Sequence, residues 1–326
     1  MAEIINGREN LLGVFHHKKP ARLPRGYDTA FMMFPGDWSD TAEPGYDMWG
    51  VRWVPQPFAG QMVDETTPPL ISDITKWREQ VKIPDPENAY DWEEMARQRS
   101  AHWNRETQVG TLIMLEGHFE RMHSLTGFED ALCYFYDEDA EDAVRDLFAE
   151  ITKYKITCLR LAKKYFNPDV IVYHDDWGTD RSMFFNPQIW RDFIKDEFKK
   201  IVDATHELGM LFELHSCGHI QEVIGECVDI GIDSIQTLQY PQNDIEYVKK
   251  NFGDRLVTRG GYDGQKILRK DVSDEEKRET ILYSLGVLAP GGNHIPYFYS
   301  FGKDPEHANE VFNAVVDEYE KEHGPC

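Results

Sequence analysis

The chain has 326 residues, 41% hydrophobic and 13% aromatic, enough to bury a large core, so global disorder is excluded. Its 58 acidic and 35 basic residues give a formal charge of −23. That balance argues against nucleic acid or an anionic membrane as the main partner, because phosphate binding needs a cationic surface.

Residues 1–19 predict a short helix with Asn6 at its cap and Leu11, Leu12, Val14 and Phe15 on one stripe. Residues 20–70 carry eight prolines and three tryptophans, Trp38, Trp49 and Trp53. Proline at that density forbids a long helix, and the aromatics imply packing. This stretch reads as an irregular covering layer with a short hairpin at 49–54. From residue 109 the pattern becomes regular. A short apolar run at 111–115 precedes Glu116, and 142–166 is a long helical repeat. The strand 170–173 (VIVY) ends in His174-Asp175-Asp176. Residues 187–208 form a helix with Asn186 as cap and Pro187 in the first turn. A strand at 211–214 ends in His215-Ser216-Cys217-Gly218, and a helix covers 219–229. Strands at 234–236, 256–258 and 296–299 then alternate with helices at 244–251, 273–288 and 306–320.

This alternation implies parallel strands joined by helical crossovers. A closed barrel and an open doubly wound sheet both satisfy it. No glycine-rich phosphate fingerprint follows a strand, and the ionisable residues gather just after strands, where a barrel keeps its active site. The expected fold is therefore a distorted (β/α)8 TIM barrel of one domain, 1–326. Residues 1–108 form the N-terminal helix and covering layer, and 109–326 the barrel body. No C-x-x-C pair, no apolar run of secretory length at the start and no stretch of about 18 apolar residues occur, so a cytoplasmic, reducing setting is expected.

Alternation along the strand puts Glu213, His215 and Cys217 on one face, pointing into a barrel. A His and a Cys two apart suit a zinc ion, which takes N and S ligands. His174, Asp175 and Asp176 offer acid, base or orienting groups if burial separates their pKa values. Glu116 and His118, Arg259 after its own strand, and His294 beyond Gly291-Gly292 are candidates for substrate contact, and His294 also for a metal.

The segments VIVYHDDWGTDRSMFFNPQIWRDFIKDEFKKIVDATHELGMLFELHSCGHI and LAPGGNHIPYFYSFGKDPEHANEVFNAV resemble the uroporphyrinogen decarboxylase superfamily over roughly residues 110–320. The resemblance implies a barrel with its site at the strand C-termini. It is closer to the corrinoid-dependent methyltransferases, which include the methylcobamide:coenzyme M and O-demethylase enzymes. There the zinc motif is H-x-C followed by a later cysteine in a Pro-Gly-Cys turn. His215 and Cys217 match the first half. The second half reads Pro290-Gly291-Gly292-Asn293-His294, without the cysteine, so either His294, Glu213 or another carboxylate is the third ligand or there is no zinc. The implied activity is transfer of a methyl group from a small methylated substrate, such as a methoxylated aromatic, to cobalamin on a transient corrinoid protein partner. Trp38, Trp49, Trp53 and Phe58 would wall such a substrate. A cofactor-free decarboxylase would instead anchor carboxylates on Arg22, Arg25, Arg181 and Arg259. A non-catalytic binding protein would scatter the strand-end residues.

Overall fold

The computed structural model describes residues 5–39, 43–56, 60–298 and 305–325. Among these residues ten strands form two sheets: β1 (Thr29–Met33), β2 (Gly45–Tyr46), β3 (Arg52–Gln56), β4 (Gly60–Val63), β5 (Val109–Met114), β6 (Val170–His174), β7 (Leu211–His215), β8 (Ser234–Thr237), β9 (Val257–Gly260) and β10 (His294–Ile295). Seven are parallel, in the order β1-β5-β6-β7-β8-β9-β10. This is chain order without reversal, whereas a doubly wound sheet reverses at a switch point. The sheet also curls. The ring of Phe31 on β1 lies 5.9 Å from that of Tyr297, just beyond β10, and Arg259 of β9 reaches Thr29 of β1 at 3.5 Å.

Among the described residues the curl does not close into the expected eight-stranded barrel. Among the described residues β10 and β1 exchange no backbone pairing, and there is no eighth parallel strand. The last strand also begins earlier than the expected 296–299 and has only two residues. Pro296 follows it at once and has no N–H to donate to a ladder. Tyr299 lies outside the described residues.

The proline-rich segment holds a strand that its composition hid. Thr29–Met33 pairs in parallel with β5, Thr29 opposite Val109, so the covering layer contributes an edge to the barrel sheet. The hairpin expected at 49–54 is a three-stranded antiparallel sheet, β2-β3-β4. Buried charges pin this layer. Arg121 pairs with Asp47 at 2.6 Å, and Lys155 with Asp37 at 2.8 Å.

Strand parity divides the sheet. Leu112, Met114, Ile171, Tyr173, Phe212, Leu214 and Ile235 point outward into the main core. There they meet Val144, Leu147, Phe148 and Ile151 of the helix Glu141–Leu161, spaced to form one apolar stripe. The inward set is layered. At the N-terminal end Val109, Val170, Val257 and Ile295 meet Leu11, Val14 and Phe15 of the helix Gly7–Phe15, which plugs the bottom. Asn6 caps that helix by accepting from Glu9 N, as expected. Asn186, Asp244 and Ser273 cap theirs likewise, so the predicted helix starts hold. The helix from Pro187 contains a π turn at Trp190–Ile194 before continuing to Glu207. Among the described residues no helix is long and apolar enough to cross a membrane.

Candidate functional site

Register brings the two strand-end histidines together. His174 of β6 is the Cα partner of His215 of β7, and both point inward at the C-terminal end of the sheet. Their rings stack with centroids 4.0 Å apart and planes 13° from parallel. Each ring has one nitrogen anchored. His174 Nδ1 is hydrogen-bonded to a carboxyl oxygen of Glu120 at 2.9 Å, and His215 Nδ1 donates to Gln236 Oε1 at 2.9 Å. His215 Nε2 then faces Cys217 Sγ at 3.5 Å and Asp176 Oδ1 at 3.8 Å. One donor atom from each of His174, Asp176 and His215 lies within 4.8 Å of the other two. Burial, helped by the neighbouring imidazole of His174, pushes His215 down to about 4, so it is neutral at pH 7.

Two loops hold this geometry. The loop after β7 returns Cys217 N to Asp176 Oδ1 at 2.7 Å. Gly178 and Gly218 touch backbone to backbone, and Gly218 has φ +77°. A Cβ at either would overlap the other loop's main chain, so glycine is required at both.

One layer below, Glu213 accepts from Ser234 Oγ at 2.7 Å, Arg259 Nε at 2.8 Å and Gln236 Nε2 at 3.2 Å. Its bond to Gln236 turns the amide oxygen of Gln236 toward His215. Around the histidines stand further acids. Asp175 accepts from Glu120 N at 2.9 Å and Phe119 N at 3.3 Å, capping the helix His118–Thr126, and burial with Glu120 beside it raises it to about 8. Burial pushes Glu120 well up, with Asp176 adding to the effect. Glu116 accepts from Trp38 Nε1 at 3.1 Å, and burial raises it to about 7 against the pull of Arg121.

These residues fit a zinc ion. Two imidazoles and a carboxylate supply N and O donors, and Cys217 adds a sulfur beside them. Each histidine's other nitrogen is fixed by a carboxylate or amide, the arrangement that orients metal-binding imidazoles.

The structure gathers His174, Asp176, His215 and Cys217, with Asp175 behind them as a helix cap and Glu116 alongside. It does not gather the rest. Glu213, one expected third ligand, is paired with Arg259, which is itself buried one layer below the histidines. His294, the other, lies on the opposite face of the sheet between Thr258 Oγ1 at 3.0 Å and Tyr262 OH at 2.8 Å, and burial pushes it down to about 3. His118 sits beneath the helix Glu141–Leu161, bonded to Thr152 and Tyr173 at 2.9 Å each. Of the arginines that a decarboxylase would need, Arg22 pairs with Asp28 and Arg25 with Asp317 and Glu320, while Arg181 is exposed. Trp49 and Trp53 belong to the core rather than a substrate wall, and Phe58 lies outside the described residues. Glu120 and Gln236 were missed. Gln236 has the same strand parity as Ser234, and pairing β8 with β7 would have exposed it. Glu120, which reads as part of a helical surface, carried no local signal.

Neither a family model nor a curated protein sequence matches the chain. Among solved structures, mannonate dehydratase from Streptococcus suis is 12% identical over 73% of this chain and 93% of that one, with a TM-score of 0.35. Bee venom hyaluronidase is 12% identical over 91% and 85%, with a TM-score of 0.40. Both overlaps are too loose to bear on this chain. A methyltransferase from Methanosarcina mazei is 13% identical over 97% of this chain and 99% of that one, with a TM-score of 0.69. The chain thus shares the fold of that methyltransferase over nearly its whole length.

Proposed function

We propose that the protein is a metal-assisted methyltransferase, moving a methyl group from a small methylated substrate, such as a methoxylated aromatic, to cobalamin on a corrinoid protein partner. The stacked pair His174–His215, with Asp176 and Cys217 in reach, is the observation that carries this reading. The shared fold with a methyltransferase supports the reaction class.

His174, Asp176 and His215 would hold zinc, with Cys217 as an adjoining donor. Bound there, zinc supplies Lewis acidity to the heteroatom that the methyl group leaves. Glu120 holds His174 through Nδ1, and Gln236 accepts from His215 Nδ1, so Nε2 is the nitrogen that each ring would offer a metal. The Glu213–Arg259 pair below keeps Gln236 in that orientation. As the carbon–heteroatom bond breaks, the leaving group keeps the electron pair and the methyl group passes to the reduced corrinoid. The open C-terminal end of the sheet is where that partner would dock.

The test is metal content of untagged protein purified without chelator, together with methyl transfer to reduced cobalamin from a panel of methoxyarenes and methylamines. About one zinc per chain, lost in His174→Ala and His215→Ala, with cobalamin methylation by wild type only, is expected. Neither metal nor methylation in wild type would refute the reading.

A further inference from the structure

Among the described residues the seam between β10 and β1 is not packed shut. A cavity of about 420 Å³ occupies it, lined by Phe31 of β1, Ile113 of β5, Gln236 of β8, Tyr297 beyond β10, and Asn309 and Phe312 of the helix Glu306–His323. It runs from the outer surface of the sheet to the interior. Ile113 stays only half-buried although it faces inward, because the cavity lies over it. The inner end is Gln236, the same amide that accepts the Nδ1 proton of His215. The outer end carries Asn309 and Asn313, four residues apart and so on one helix face. Aromatic pairs make the walls, Phe31 with Tyr297 at 5.9 Å and Phe298 with Phe312 at 4.8 Å.

The lining has one further property. Although 29% of the chain is charged, no charged side chain lines this cavity among the described residues. Burying an unpaired carboxylate or ammonium there would cost several kcal/mol. The neutral amides of Asn309 and Asn313 at the outer end and the rings beyond them suit a flat, uncharged ring with polar substituents. The volume falls within the range of small-molecule sites, about 300–1,000 Å³.

We infer that this seam cavity binds a neutral, single-ring aromatic molecule and delivers it sideways to the His174–His215 centre. That the molecule is the methyl donor rests on the methyl-transfer reading above. Side access leaves the open end of the barrel to the partner. Substrate and acceptor then reach the centre from different directions, as a displacement at the methyl carbon requires.

The probe is 2-methoxyphenol, titrated calorimetrically into untagged full-length protein beside 2-methoxybenzoate and benzylammonium. The neutral probe is expected to bind at least 10-fold more tightly than either ion. Asn313→Trp, a change at an exposed rim position, is expected to weaken it at least 10-fold with zinc content unchanged. Failure of the neutral probe to bind, equal binding of the benzoate, or indifference to Asn313→Trp would each overturn the inference. The two readings fail separately. Selective binding without any cobalamin methylation keeps the cavity and refutes the reaction, whereas methylation insensitive to Asn313→Trp keeps the reaction and refutes the cavity.

Discussion

Replacing Arg259 by Met tests the chain of contacts that runs from the barrel interior to His215. The Arg259 and Glu213 side chains are 1% and 0% exposed and meet at 2.8 Å. The guanidinium also lies 5.8 Å and 5.6 Å from the rings of Phe15 and Phe31, space that a methionine fills. Removing one partner of a buried pair strands the other charge, at about 3–5 kcal/mol. Ser234 and Gln236 still donate to Glu213, so the lower end, about 3 kcal/mol, is expected for Arg259→Met. Adding Glu213→Gln removes the stranded charge and should recover most of that loss. Urea unfolding followed by tryptophan fluorescence gives the stabilities of the four proteins in the cycle. Zinc affinity should fall about 10-fold or more in Arg259→Met, as expected when the group orienting a metal-binding histidine loosens. A loss under about 1 kcal/mol, or single changes that simply add in the double variant, would refute the reasoning.

Glu116 predicts a pH effect. Its raised pKa means that the folded chain holds more protons than the unfolded chain between pH 4.5 and about 7, so stability falls as pH rises through that window. The shift corresponds to about 3 kcal/mol, and Glu116→Gln should flatten the curve there; an unchanged slope in urea titrations at several pH values would count against it. Gly218→Ala should destabilise by at least about 2 kcal/mol and lower zinc occupancy, because its Cβ meets the Gly178 backbone, which cannot swing aside. Wild-type melting and metal content in that variant would remove the glycine argument. In zinc competition assays, His174→Ala, Asp176→Ala and His215→Ala should each weaken binding more than Cys217→Ser does. The reverse ranking would return the sulfur to the principal set.

The strands ending in His174 and His215 were legible from local pattern. VIVY followed by a polar run puts His174 at a strand end, and LFELH with alternating faces turns His215 inward at another, because side-chain direction along a strand alternates residue by residue. Asn6 and Asn186 marked helix starts for an equally local reason, since a cap acts on amides two or three residues away. The strand at Thr29–Met33 was hidden: its neighbours are proline-rich, and the partner that makes it a strand begins 80 residues later at Val109. His294 and Glu213 looked available as ligands until Tyr262 and Arg259 were seen to occupy them. Glu120 gave no sign of meeting His174, which lies 54 residues away. Composition, periodicity and caps therefore determined the parallel α/β alternation and which strand ends carry histidine. Only the tertiary structure decided that, among the described residues, β10 and β1 do not pair, that His174 stands opposite His215, and which charges cancel, because register and ion pairing depend on residues far apart in the chain.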